Sequence, residues 1–114
     1  MSEFIIAQYL GITENNEVVF YEGAFEELLK AMGVTGIDLY TAMNKVFNYL
    51  RLKGFEEKYI EREIENNDGF TEIFSLTYWS KSYDNFKDAY LELLKLEKVC
   101  HEIIKEYGGV KNEG

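Results

Sequence analysis

The side chains best suited to chemistry lie between Leu39 and Phe55, a stretch without an acidic residue in a chain of 114 residues. On a helix, one face of this stretch collects polar side chains, and lysines flank it. Asparagine can pair with adenine, arginine with guanine, and the threonine methyl can touch thymine, whereas lysine meets phosphate. The candidate DNA-contacting residues are Tyr40, Thr41, Asn44, Lys45, Asn48, Arg51 and Lys53.

The distribution of charge favours this stretch over the rest of the chain. With 21 acidic and 12 basic residues the net charge is −9, which argues against a general affinity for nucleic acid or anionic membrane, because the summed field repels phosphate. Residues 1–35 hold six acids and one base, and residues 56–70 hold six acids and two bases. Residues 36–55, with one acid and three bases, are the only net-positive segment.

Other reactive side chains give no support for an enzyme, a cofactor or a metal site. Cys100 and His101 are neighbours, but helical neighbours point about 100° apart and make a poor nucleophile–base pair. The row Glu61, Glu63 and Glu65 lies on one strand face; it favours a solvated, edge-protecting surface over a cation site. Glycine-rich phosphate loops, nucleophile elbows and metalloprotease signatures are absent from the sequence.

Cysteine and hydropathy patterns indicate a cytoplasmic protein. A single cysteine permits no internal disulfide, which is typical of a reducing compartment. The longest apolar runs, such as Phe4–Ala7, are far shorter than a membrane span. The acidic start Met1-Ser2-Glu3 differs from a secretory signal. We expect one domain over residues 1–107 and a flexible tail over 108–114.

Hydrophobic periodicity changes between the glycines and predicts an α+β fold. Residues 3–10 leave two interpretations open, because β-branched residues favour a strand whereas Ser2 could cap a short helix. The predicted elements that follow are a strand at 17–21, helices at 24–32 and 37–53, and a hairpin of 58–65 with 70–79. A last helix, capped by Ser82 or Asp84, is predicted to end at Tyr107. Gly108 is expected to end it by adopting a left-handed backbone conformation.

This order resembles the winged helix-turn-helix domain of bacterial and archaeal transcription regulators. The resemblance covers about residues 24–80. It rests on Glu27–Thr35 as the end of the first motif helix and its turn, with Leu39 and Met43 packing back. Residues 49–55 are similar to the exit into the wing, and residues 74–77 to the close of its second strand. It implies a winged helix-turn-helix fold with a long C-terminal helix, in which helix 37–53 reads the major groove.

The last helix has a wider apolar arc than the stripe of roughly 100° that covers a helix's own domain. The surplus favours a homodimer, in which two copies of this helix pack together. The alternative is that the N-terminal segment wraps the same helix. The predicted dimer contacts are Phe86, Tyr90, Leu93, Leu94, Leu96, Cys100, Ile103, Ile104 and Tyr107.

Two functions follow from these patterns. The first is a small dimeric DNA-binding transcriptional regulator, with half-sites about one helical turn apart. The alternative is an acidic protein-interaction or inhibitor protein, a DNA mimic among the forms it could take, without DNA binding. Its motivation is the acidic wing, formed by Glu56, Glu57, Glu61, Glu63, Glu65 and Asp68.

An aromatic cluster lies near the end of the predicted hairpin, and its members are Phe74, Tyr78, Trp79, Tyr83 and Phe86. A packed junction between wing and last helix is favoured for this cluster over a ligand pocket.

Overall fold

The computed structural model describes residues 3–109, which begin with an antiparallel meander of three strands. These are β1 (Glu3–Ala7), β2 (Leu10–Thr13) and β3 (Glu17–Tyr21). The ambiguity at residues 3–10 is therefore resolved in favour of a strand. The isoleucines of β1 suit a pleated strand, and its backbone pairs with β2 from Glu3 opposite Thr13 onward.

Two helices follow β3 and are separated by a tight turn. They are α1 (Glu22–Ala31) and α2 (Gly36–Leu52), which begin and end within two residues of the predicted bounds. The turn contains Gly33 at φ +89°, and α2 stops before Gly54 at φ +90°, conformations that favour glycine over residues with a Cβ.

A long hairpin joins the meander to complete one sheet. Strand β4 (Glu56–Glu65) pairs along its length with β5 (Thr71–Ser82), and the last five residues of β5 pair with β3. Within the described residues the sheet is antiparallel, with strand order β1-β2-β3-β5-β4. The α+β class is confirmed.

The chain closes with α3 (Phe86–Ile104), which continues as a π-helical turn, Lys105–Gly109. Its cap is Asn85, whose Oδ1 accepts the Asp88 backbone N–H at 2.8 Å, so the predicted caps Ser82 and Asp84 are wrong. The predicted stop at Gly108 is also wrong. Gly108 is buried in the π-helical turn, without a positive φ, where an added Cβ would lie 2.9 Å from Met32 Cε. Of the predicted tail, residues 110–114 lie outside the described residues.

The three helices pack on one face of the sheet and form the core with it. α1 packs on β5, and α3 packs on β2, β3 and α2. Fully buried side chains come from every layer, among them Leu10, Phe20, Phe25, Leu50 and Leu93. No helix in the described part of the chain is long and apolar enough to cross a membrane.

The predicted winged helix-turn-helix topology is wrong. The segment before the helix pair is a meander of strands, and it enlarges the sheet to five members. The predicted wing is the longest hairpin within residues 3–109, with strands of 10 and 12 residues. The sequence signals of the resemblance, a glycine turn between two helices and a hairpin after them, recur here in a different architecture because strand pairing is non-local.

Two leucines near the end of α2 test the assignment of its buried face. Leu50 is fully buried and Leu52 is 86% exposed. We expect Leu50→Ala to lower the free energy of unfolding by about 2–5 kcal/mol, because it leaves a cavity. Leu52→Ala should change it by no more than about 0.5 kcal/mol. Urea denaturation measures both, and equal losses would contradict the described face.

Candidate interaction site

The structure gathers five of the predicted DNA contacts on the solvent side of α2. Tyr40 is 72% exposed, Asn48 and Arg51 are exposed, and Thr41 and Asn44 are half-buried beside them. Lys45 borders this strip on the helical wheel, whereas Lys53 follows the last residue of α2 and lies about 120° from Thr41, toward the buried side. The five residues of the strip therefore share one face as predicted, but Lys53 does not flank it.

The three basic side chains of this region contact the protein's own surface. Lys45 Nζ lies 3.0 Å from Glu106 Oε1, and this hydrogen bond raises the pKa of Lys45. The Arg51 guanidinium lies 5.5 Å from the centre of the Trp79 ring, and Lys53 Nζ lies 5.6 Å from the Tyr49 ring. These cations stabilise α2 against the sheet and the last turn by small, solvent-screened amounts.

Sequence reasoning missed two apolar residues on the same side of α2. Ile37 is 82% exposed, and Leu52 lies on the helical wheel next to Thr41. The helical period places both on this side, but the solvent-facing side was assigned from its polar residues alone. The solvent side of α2 is thus a mixed polar and apolar surface rather than a basic one.

The most exposed part of the sheet is the outer half of the β4–β5 hairpin, residues 59–77, which we call the arm. Strand β3 ends opposite Tyr78, so both long edges of the arm are free within the described chain. Residues 59–75 are all exposed. An isolated two-stranded hairpin is marginally stable in water, so this arm gains from any surface that covers it.

The two faces of the arm differ in charge, because residues directly opposite in an antiparallel pair share a face. Trp79 points to the helices, and the same parity applies to Thr77, Ser75, Ile73 and Thr71. Their partners on β4 complete what we call the acidic face, and these partners are Tyr59, Glu61, Glu63 and Glu65. The predicted sharing of one face by the three glutamates is confirmed.

The acidic face combines carboxylates with apolar anchors. Its glutamates repeat every second residue, a separation of about 6.8 Å along the strand. Tyr59 is 62% exposed and Ile73 is 64% exposed among them. The opposite face of the arm carries Ile60, Arg62, Ile64, Glu72, Phe74 and Leu76. Exposed apolar residues therefore lie on both faces of the arm.

The predicted aromatic cluster between wing and last helix does not form. Trp79 stacks on Phe47 of α2 with ring centres 5.4 Å apart, and Tyr78 lies beside Tyr21. Phe86 packs instead on Tyr90 of its own helix. Phe74 is exposed in the arm, and Tyr83 is half-buried. Strand parity places Trp79 on the face opposite that of Phe74 and Tyr78, whereas Phe86 lies beyond the end of β5 on α3.

The predicted dimer contacts divide into buried and open positions. Four of them lie in the protomer's own core, where a partner cannot reach them: Leu93, Leu96, Cys100 and Ile103. Tyr90, Ile104 and Tyr107 are half-buried, whereas Phe86 and Leu94 are exposed. Phe4 of β1 lies 5.8 Å from both the Phe86 and the Tyr90 rings, so the N-terminal strand covers part of the helix. Dimerisation itself stays a prediction.

The remaining reactive side chains are isolated from one another. Cys100 is buried, and burial raises the pKa of its thiol, which makes it unreactive. His101 is exposed, with Nε2 3.8 Å from Glu97 Oε2. No group of three or more potential metal-ligating side chains occurs within residues 3–109.

Neither a protein-family model, nor a curated protein, nor a solved structure matches this chain.

Amide hydrogen exchange can test the independence of the arm. We expect the backbone amides of the arm to exchange by local opening, faster than those of β2 and β3, because few buried contacts hold it. Mass spectrometry of peptides from both regions measures the difference. Equal protection that disappears on dilution would show instead that a second copy covers the arm.

Proposed function

We propose that this chain is a protein-interaction module that docks the acidic face of its arm on a basic surface of another protein. The observation that carries the proposal is the exposed row Glu61, Glu63 and Glu65 with Tyr59 and Ile73 among the carboxylates. Tyrosine is enriched among the residues that anchor protein interfaces, and charged residues lie mainly at their polar rim.

Charge determines the chemistry of the partner. The acidic face has no basic residue, and the nearest cation of the arm, Arg62, points to the opposite face. The net charge of −9 adds a field of the same sign, which attracts a basic surface from a distance and speeds association. A partner rich in lysine and arginine, such as a nucleic-acid-binding surface, fits these requirements.

The position of the acidic face also bears on DNA. It points to the same side of the sheet as α2, since Trp79, of the same parity, lies under Phe47. Phosphates bound along α2 would be repelled by these carboxylates, and the effect would weaken with salt. This arrangement favours the protein-binding function over the DNA-binding one.

Neutralising the acidic row tests the protein-binding function. The probe is a lysine- and arginine-rich peptide with one leucine anchor, and fluorescence anisotropy at low salt measures its affinity. We expect the triple variant Glu61→Gln, Glu63→Gln, Glu65→Gln to bind about tenfold more weakly, because three surface ion pairs are lost.

The matched control removes the same charge elsewhere. Glu14, Glu27 and Glu102 are exposed and lie outside the arm, so their triple change to glutamine gives the same net charge. We expect the control variant to bind the peptide at most about threefold more weakly, because it changes only the long-range electrostatic field of the protein. Equal losses in the two triple variants would exclude the arm as the docking surface.

A second candidate function is sequence-specific DNA contact by α2. It is supported by the exposed strip that contains Tyr40, Asn48 and Arg51 without an acidic side chain. Selection from a random DNA pool at low salt, followed by electrophoretic shift, measures it. We expect Arg51→Ala to relax the preference at one base pair by about 1–3 kcal/mol, whereas Arg62→Ala in the arm should leave it unchanged. Failure to enrich any sequence would contradict this function.

A further inference from the structure

A groove lies between α1 and α2, on the side of the sheet that carries the helices, and it differs from the acidic face of the arm in being partly enclosed and lined by aromatic rings. It has a volume of about 290 Å³, close to the lower limit for small-ligand pockets. Its apolar part is formed by Leu39, Met43 and the rings of Tyr40 and Phe47, and its polar part by the carboxylates of Glu22 and Glu26.

The Glu22 carboxylate is half-buried and has no cationic partner among the described residues. Its Oε1 accepts a hydrogen bond from Trp79 Nε1 at 2.8 Å. Burial raises the pKa of Glu22, and the neighbouring carboxylates of Glu57 and Glu26 raise it further, although the Trp79 bond opposes them. Lys30 Nζ lies 3.3 Å from the Glu26 carboxylate and balances it, so a cation placed in the groove would balance the charge of Glu22.

The aromatic rings favour the same kind of ligand. Cations are attracted to the faces of aromatic rings, most strongly where water is excluded. One face of the Phe47 ring stacks on Trp79 at an interplanar angle of 20°, and this contact fixes the position of the ring. Leu39 and Met43 provide apolar surface for the body that carries the cation.

We propose that this groove is a binding site for an organic cation, namely an ammonium or guanidinium group on a short apolar body. The charged group would lie between Glu22 and the Tyr40 and Phe47 rings, and the apolar body against Leu39 and Met43. The site is separate from the arm and does not depend on the docking function. The same chemistry is offered by a free amine and by a lysine side chain of a partner.

The probe is the phenethylammonium ion, and its control is 2-phenylethanol, which has the same shape without charge. Trp79 is the only tryptophan of the chain and bonds Glu22, so its fluorescence reports on the groove. We expect saturable binding of phenethylammonium with a dissociation constant of about 1 mM or tighter, and binding of the alcohol at least about tenfold weaker. Isothermal calorimetry measures the same affinities independently of fluorescence.

Two isosteric variants locate the site. Glu22→Gln should weaken phenethylammonium binding about tenfold or more, while its amide oxygen still accepts the Trp79 bond and preserves the fold. Glu27→Gln removes the same charge from an exposed position of α1 outside the groove, and should leave the affinity nearly unchanged. If the two variants lost the same affinity for phenethylammonium, the ligand would be attracted only by the overall negative charge of the protein, and the proposal would be overturned.

The pH dependence adds a readout of the same carboxylate. The ligand requires ionised Glu22, so its affinity should fall as pH decreases through the raised pKa of Glu22. In Glu22→Gln this fall should be smaller. A pH profile identical in the two proteins would contradict the proposed contact.

A short peptide, acetyl-Ala-Lys-Ala-amide, distinguishes the two sources of the cation. Binding of phenethylammonium alone would assign the groove to a free amine, and binding of the peptide would assign it to a partner's lysine. If neither probe gives a heat or a fluorescence change, the proposal is wrong. The arm variants are not involved, so this outcome is independent of the docking function.

Discussion

The pairing of β3 with the second half of β5 is the contact on which the rest of the structure depends. It joins segments about sixty residues apart, from Glu17 opposite Ser82 to Tyr21 opposite Tyr78. It fixes the parity of β5 and so directs Trp79 into the core between α1 and α2. Because β3 ends at Tyr21, the first half of β5 has no neighbour but β4, and the arm exists for that reason.

The parity of β5 also explains which part of the fold could be predicted from the sequence. The predicted hairpin of residues 58–65 with 70–79 is present with its turn at Asn66–Gly69, and Phe74, Leu76 and Tyr78 alternate along its second strand with residues of the other face. Alternation does not say which face is buried, and here the helices cover the face of Trp79 and Thr77 instead. The partner strand decides this, and that partner is distant in sequence.

The helices show the same difference between local and non-local information. Helix 37–53 was predicted from its period, and in the structure Met43, Val46 and Leu50 form its buried stripe. The surplus of the apolar arc on α3 was interpreted as favouring a homodimer, with coverage by the N-terminal segment as the alternative, and residues 3–10 were left open between a strand and a short helix. In the structure β1 covers part of that helix through Phe4. The acidic row of the arm was visible in the sequence, whereas the α1–α2 groove requires the packing of two helices.

The net charge of −9 does not act as one uniform field on the two proposed sites. The carboxylates of the arm are exposed, so salt screens them, and they suit an extended basic surface that approaches from solvent. Glu22 is half-buried beside aromatic rings, where the lower dielectric strengthens its attraction for a single cation and makes shape matter. If both proposed sites are used, an acidic protein of this kind would separate two classes of positively charged partner, one by the length of a charged row and the other by the fit of one group in a groove.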